Sequence, residues 1–243
     1  MKEGYLYFVS NDGYYEEALT SAKSLKRHDS QANITIAITY DREIDSKVFD
    51  IVSHVKPINS EDYDHNCLLR LKTLTDTPYD KTFYVDTDTY FCGNCREVFD
   101  MLDYYDLCMA DAPNDMSEPI INGKIARGMH PYNNGVIAYK SNWSNFQLFS
   151  QTSENEKYLN TPTICQTPFC EALAQSKSRV FFLKSIYNLR TIFPAIIKEK
   201  VKIIHGRHKD LRKIEKELNS LCGQFRVWLP KEEKCETIKS IFQ

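Results

Sequence analysis

Phe83-Tyr84-Val85-Asp86-Thr87-Asp88-Thr89-Tyr90-Phe91 is an apolar run interrupted by two acids with one residue between them. In extended backbone, residues two apart project to the same side. Asp86 and Asp88 are therefore expected side by side where a buried strand reaches the surface. Such a pair is costly unless a cation or a dense set of hydrogen bonds neutralises it. Hard carboxylate oxygens suit Mg²⁺ or Mn²⁺, and a nearby His tilts the choice toward Mn²⁺. An ion held there can carry a diphosphate. The competing reading is an ordinary strand-to-loop exit, where Asp and Thr are common. Three residues alone do not separate the two, because short motifs recur by chance.

The flanking sequence supplies the context. Tyr5 to Val9 reads as a buried strand, followed by the loop Ser10-Asn11-Asp12-Gly13. From Tyr15 to Arg27, Ala18, Leu19, Ala22 and Leu25 recur on one helical face. Asn33 to Thr39 alternates and is β-branched, which predicts a second strand. Asp45 or Ser46 is expected to cap a helix carrying Val48, Ile51 and Val52. Leu68 to Leu74 reads as helix, stopped near Pro78. Beyond the Asp86 strand, Leu107 to Ala110 predicts a strand ending at Asp111. Ala112 to Met129 reads as a long loop, and Asn134 to Tyr139 as another strand. Helices are expected over Trp143 to Phe149 and Pro168 to Gln175. Late strands follow at Val180 to Leu183 and Val201 to Ile204, then a basic helix from Lys209 to Leu218. Strands alternating with helices predict an α/β fold with a largely parallel sheet. Ligands in open α/β sheets bind beyond the carboxyl ends of the strands. Asn11, Asp12, Asp86, Asp88 and Asp111 all follow strands, so one shared edge gathers them.

The 243 residues suit one domain, 1–243, with 210–243 as a helical and strand appendage. A formal charge of −2, from 31 basic and 33 acidic residues, gives no sign of a nucleic-acid binder. Met1-Lys2-Glu3-Gly4 leads straight into a strand rather than a secretory signal, and no apolar run reaches the ~20 residues of a membrane span. The expected location is cytoplasmic. Eight cysteines in such a chain do not imply a disulfide framework. Cys92 and Cys95 lack a second pair for zinc and are expected to be free thiols around a turn.

Two further segments bear on the site. Cys67-Leu68-Leu69-Arg70-Leu71-Lys72 precedes the Asp86 strand, and one helical turn there can aim Arg70 at a metal-phosphate region. In Val201-Lys202-Ile203-Ile204-His205-Gly206-Arg207-His208-Lys209 an apolar strand ends at a His followed by Gly and cations. A His at a strand end can complete a metal site, and Arg207 or Lys209 can hold phosphate oxygens.

With these segments in order, the chain resembles the nucleotide-sugar glycosyltransferases of the GT-A fold, a Rossmann-like mixed, mostly parallel sheet flanked by helices. Within them it resembles glycosyltransferase family 8, the glycogenin-like group, from Gly4 to Lys209. Val9 to Tyr14 looks like the first-strand loop that holds the nucleotide base, with Tyr14 at the stacking position. Arg70-Leu71-Lys72 looks like the basic helix motif, and Asp86-Thr87-Asp88 like the D-x-D motif. Tyr132-Asn133-Asn134-Gly135-Val136 is similar to the N-x-G-V segment lining the sugar pocket. Cys165-Gln166-Thr167-Pro168 resembles a D-Q-P helix start, Tyr187-Asn188-Leu189-Arg190 a Y-N-x-R, and His205-Gly206 with Lys209 the metal-binding His and phosphate-binding Lys. Two positions depart from the pattern. Cys165 stands where the family has Asp, and the His205 to Lys209 spacing is tighter than in glycogenin.

The resemblance implies a metal-dependent, retaining transfer of a hexose from a UDP-sugar to a saccharide, lipid-linked or protein acceptor. Mn²⁺ or Mg²⁺ is then held by Asp86, Asp88 and His205. Asn11, Asp12 and Tyr14 hold the nucleotide, and Lys209 with Arg207 adds positive charge. Arg70 reaches the donor sugar or its phosphate, and Asn133, Asn134 and Gln166 fix the sugar. An inverting enzyme would need a carboxylate base instead, for which Asp111 or Asp115 is available. The alternative function is a nucleotide-sugar-binding protein with weak or no catalysis. A haloacid-dehalogenase-type phosphatase fits less well, since its D-x-D lies near the N-terminus and continues to Thr or Val where this chain has Tyr90. The basic stretch Lys198 to Lys216 allows peripheral contact with anionic lipid, but interspersed acids favour a solvated face.

Overall fold

A computed structural model describes residues 1–57, 63–112, 120–121, 124–125, 132–154 and 166–238. Its main sheet has seven strands: β1 (Glu3–Val9), β2 (Ile34–Ile38), β3 (Ile51–His54), β4 (Lys81–Val85), β6 (Leu107–Asp111), β9 (Tyr132–Lys140) and β10 (Val180–Phe182), in the order β10-β6-β9-β4-β1-β2-β3. Pairing is parallel except around β9, which runs antiparallel to both β4 and β6. That reversal matters for function. It brings the start of β9, Tyr132 to Gly135, to the same edge as the end of β4, with Val136 across from Val85.

Helices cover both faces. Alternate residues of β1 point opposite ways, as the two-residue period of a strand demands. Tyr5, Tyr7 and Val9 pack with Ala18, Ala22 and Leu25 of α1 (Asp12–His28) and with Val98 and Phe99 of α3 (Glu97–Met101). Leu6 and Phe8 pack on the other face with Leu69 and Leu71 of α2 (Tyr63–Thr73), Phe149 of α4 (Leu148–Ser153), and Phe169 and Leu173 of α5 (Gln166–Gln175). Burying one such side chain stabilises by about 1.5–3 kcal/mol, and both layers depend on β1. α1 has matched ends: the Asn11 carboxamide accepts from the Tyr14 amide at 3.0 Å, Asp12 lies in the first turn, and Lys26, Arg27 and His28 lie in the last. Each opposes the helix dipole.

A third core lies beside the main sheet. β5 (Thr89–Phe91), β11 (Leu189–Arg190) and β13 (Ile203–His205) form a small sheet in the order β11-β13-β5. β12 (Ala195–Ile197), β14 (Arg226–Leu229) and β15 (Lys234–Thr237) form another. Tyr90, Leu189 and Ile204 are packed with Ile214 and Leu218 of α6 (Leu211–Ser220), Trp228 and Cys235. The segment read as an appendage thus shares its core with the strand that carries His205. Arg226 is fully buried there. It donates to the carbonyls of Leu218 (2.8 Å), Lys198 (2.9 Å) and Glu199 (2.9 Å), tying the end of α6 to the turn before β13.

Several sequence expectations are corrected. Ile51 and Val52 belong to a strand parallel to β2, not to a helix, with Ile51 across from Thr35. Asp45 does cap, but it caps a turn: its side chain accepts from the Lys47 amide at 3.1 Å and its carbonyl from Val48 and Phe49. Ser144 to Gln147 forms turns, and helix begins only at Leu148. Within Ala112 to Met129, read as a loop, Ile120–Ile121 (β7) and Lys124–Ile125 (β8) pair antiparallel. Beyond Ala112, the rest of that stretch, with Asp115, lies outside the described residues. Cys92 and Cys95 are buried free thiols, and burial pushes the Cys95 thiol up to about 12. No helix among the described residues is long and apolar enough to cross a membrane.

Candidate active site

The D-x-D segment joins the main sheet to the small one. β4 ends at Val85, and the Asp86 amide donates to the Gly135 carbonyl of β9 at 2.7 Å. The chain then turns, with the Asp86 carbonyl accepting from the Thr89 amide (3.3 Å) and hydroxyl (2.8 Å). β5 starts at Thr89 and pairs antiparallel with β13, which sets His205 directly across from Thr89. The Gly206 amide closes the arrangement by donating to the Asp88 carbonyl at 2.8 Å. A turn, rather than the expected extended alternation, brings the two acids together, and strand register delivers the His from more than a hundred residues away in sequence.

The three side chains converge. His205 Nε2 lies 3.3 Å from Asp88 Oδ1 and 3.7 Å from Asp86 Oδ2. One ligand atom from each of the three lies within 4.8 Å of the others. His205 is only 3% exposed, and its Nδ1 is 2.6 Å from Asn188 Oδ1. An amide oxygen can only accept, so Nδ1 carries the proton and Nε2 is left to face the acids. Asp86 is similarly oriented. Its Oδ1 accepts from Arg70 Nη1 and from the Tyr84 hydroxyl, both at 2.6 Å, which leaves Oδ2 toward His205. Burial works to raise the Asp88 carboxyl, but the hydrogen bond and charge of His205, then Arg207 and Arg190, outweigh it and hold Asp88 down at about 2. Tyr84 is raised well above the phenol range by burial and by Asp86, so it remains a donor.

Gly135 shows why the cluster can be this compact. A Cβ placed on it would fall well inside contact of both Asp86 Oδ2 and His205 Cε1. The carboxylate and imidazole occupy the space that any side chain at 135 would need. Two carboxylates and one imidazole with ring tautomer and rotamer fixed form a donor set that fits Mn²⁺ or Mg²⁺.

This cluster lies in a cleft of about 430 Å³ whose walls include Tyr14, Arg70, Asn133, Asn134, Gln166, Arg190 and Arg207. Asn133 and Asn134 are 6% and 3% exposed on β9, and Asn133 Oδ1 accepts from the Gly135 amide at 3.0 Å. Gln166 opens α5, while Cys165 before it lies outside the described residues. The Arg207 guanidinium sits over the Tyr14 ring at 5.9 Å and pairs with Glu17 at 2.5 Å. Three predicted residues are not in the cleft wall. Asn11 spends its carboxamide on the α1 cap, Asp12 pairs with Arg42 at 2.6 Å, and Lys209 is exposed in the turn before α6. Tyr84 and Asn188 act on the cluster without having been assigned a role from sequence. Tyr84, two residues before Asp86 in a strand, carried a signal in its spacing. Asn188 carried one only as part of a motif.

No family model matches the sequence. Human glycogenin-2 is 34% identical over 113 residues, covering 40% of this chain and 23% of glycogenin-2, so the chain spans under a quarter of that relative. Among solved structures, an active-site mutant of LgtC superposes with a TM-score of 0.62 at 15% identity, covering 85% of this chain and 90% of LgtC. The galactosyltransferase LgtC in complex with donor and acceptor sugar analogues gives 0.60 at 16% identity, covering 84% and 87%. The glycosyltransferase GlyE of Streptococcus pneumoniae gives 0.56 at 16%, covering 86% of this chain and 56% of GlyE. The likeness to these solved structures shows a GT-A fold, and over 113 residues the sequence is similar to that of glycogenin-2.

Proposed function

We propose that this protein is a metal-dependent glycosyltransferase that moves a hexose from a UDP-sugar to a saccharide, lipid-linked or protein acceptor with retention of configuration. The observation that carries the reading is the convergence of Asp86 Oδ2, Asp88 Oδ1 and His205 Nε2 against Gly135, on a GT-A sheet edge. Asp86, Asp88 and His205 would hold Mn²⁺ or Mg²⁺, which supplies Lewis-acid stabilisation of the negative charge on departing UDP. Arg70 and Tyr84 act by aiming Asp86, and Asn188 by aiming His205. Tyr14 offers a ring for the uracil base. Asn133, Asn134 and Gln166 offer hydrogen bonds to sugar hydroxyls, and fixing the sugar in this way lowers the barrier by orientation.

The test is calorimetry of UDP with and without Mn²⁺, on wild type and Asp88→Ala, followed by a panel of UDP-sugars assayed for UDP release and sugar transfer. Mn²⁺-dependent UDP binding, lost in Asp88→Ala, with turnover of one UDP-sugar, is the expected result. No UDP binding in either condition would sink the reading. Binding without sugar loss would favour the nucleotide-sugar-binding alternative, for which the Cys165 substitution is the sequence argument.

A further inference from the structure

The cations of the cleft are not equivalent. Arg70 is engaged by Asp86 at 2.6 Å and Arg207 by Glu17 at 2.5 Å. Arg190 has no carboxylate within ion-pair distance among the described residues, and its Nε is buried without a hydrogen-bond partner. A buried guanidinium nitrogen left unsatisfied is costly, and structures keep one only where something else fills the need. Its position says what that is. Arg190 lies on β11 directly across from His205 of β13, and it lines the same cleft as Asp86 and Asp88. A ligand anion bridged to a metal on Asp86, Asp88 and His205 would lie within reach of it. Lys209, the cation the family pattern suggests, is removed from this task. Gly206, with φ of +128°, turns the chain, and Lys209 ends exposed beside α6, off the cleft wall.

We infer that Arg190 is the binding residue for the diphosphate of the nucleotide donor, taking the place that the short His205-to-Lys209 spacing leaves vacant. This rests on the glycosyltransferase reading above. A guanidinium presents a planar fork of N–H donors, which suits non-bridging phosphate oxygens better than a point charge does. The ligand's diphosphate then supplies both the missing counter-charge and the missing acceptor for Nε. As a β-phosphate partner Arg190 also steadies the charge that UDP gains as it leaves.

The experiment titrates UDP and uridine, each with Mn²⁺ present, into wild type, Arg190→Met and Arg190→Lys, with thermal melts to confirm that the variants fold. Arg190→Met should weaken UDP roughly ten- to a hundredfold, as expected for loss of a charged hydrogen-bond partner. Uridine, measured by displacement, should be unchanged, and Arg190→Lys should fall between. Equal loss for UDP and uridine would reassign Arg190 to the shape of the cleft and overturn the proposal. Wild-type UDP affinity in Arg190→Met would overturn it while leaving the function standing. Failure of wild type itself to bind UDP would remove the function first. Should Arg190→Met not fold, the Arg190→Lys comparison of UDP with uridine decides alone.

Discussion

Gly135→Ala adds one methyl group at the most crowded point of the site. Its Cβ would stand more than an ångström inside the ~3.5 Å contact distance of both the Asp86 carboxylate and the His205 ring. Neither neighbour is a loose chain end. Asp86 is held by Arg70 and Tyr84, and His205 by Asn188. Relief therefore comes from prising the two apart by roughly an ångström, whereas metal sites tolerate ligand displacements of about 0.2 Å. Disturbing partners that merely orient ligands costs about 10–100-fold in metal affinity. Shifting the ligands themselves should cost at least ~100-fold. Stability behaves differently. Ala in place of Gly in a strand gains roughly 0.5–1 kcal/mol, and overpacking loses about 1–3 kcal/mol, so the net runs from about zero to a loss of about 2.5 kcal/mol. The assay is Mn²⁺ titration by calorimetry, with a urea melt on the same preparation. Gly93→Ala is the control, because its Cβ meets nothing nearer than Lys202 Cγ at 3.5 Å. Mn²⁺ affinity in Gly135→Ala within threefold of wild type would refute the placement of the ion against Gly135.

Asn188→Leu should lower Mn²⁺ affinity about 10–100-fold, with Asn188→Asp restoring it because an acceptor again faces Nδ1. In a His205→Gln background the same change should have no further effect on Mn²⁺ binding, and additive losses would count against action through His205. Arg226→Met should cost roughly 2–5 kcal/mol in a urea melt by stranding the carbonyls of Leu218, Lys198 and Glu199 inside the protein; a melt like wild type would show that these carbonyls find other donors. Asp106 bears on acid stability. Burial works to raise it, but the Arg179 amide and guanidinium and then Lys140 prevail and depress it. A depressed folded pKa contributes stability above the unfolded value of about 3.9 that fades as pH falls through the folded value. Asp106→Asn should therefore narrow the stability gap between pH 7 and pH 3, read from paired urea melts, and an unchanged gap would argue against the depression.

The parts of the site that were legible in the sequence are those whose chemistry is fixed by strand ends. Asp86, Asp88 and His205 each follow an apolar run, and their residue types announce a hard cation. Asn11 and Asp12 carry structural roles that the same residue types announce: Asn11 caps α1, and Asp12 pairs with Arg42. The helix expected over Ile51 and Val52 failed because local pattern was ambiguous. An Asp capping a turn looks the same in sequence as one capping a helix, and only the pairing with β2 decides between them.

Arg190 and Lys209 differ in another way, since sequence counts cations while a cleft counts cations that lack partners. Alternation of strands and helices predicted a largely parallel sheet, without saying which strand would run the other way. β9 is that strand, and its first residues rather than its last reach the active edge. Asn133 and Asn134 can face the cleft, and Gly135 can press on Asp86 and His205, only because that one strand runs backward. The two departures share a cause: the active edge is defined by strand direction and by charge balance in space, which local pattern does not encode. A strand direction is settled by its neighbours, and the pairing of a cation by which acids the fold brings near it. Substitutions at Gly135 and at Arg190 consequently probe what the fold adds beyond the motif. The first tests whether a reversed strand supplies the floor under the ion. The second tests whether Arg190, whose Nε has no hydrogen-bond partner among the described residues, finds one in the ligand.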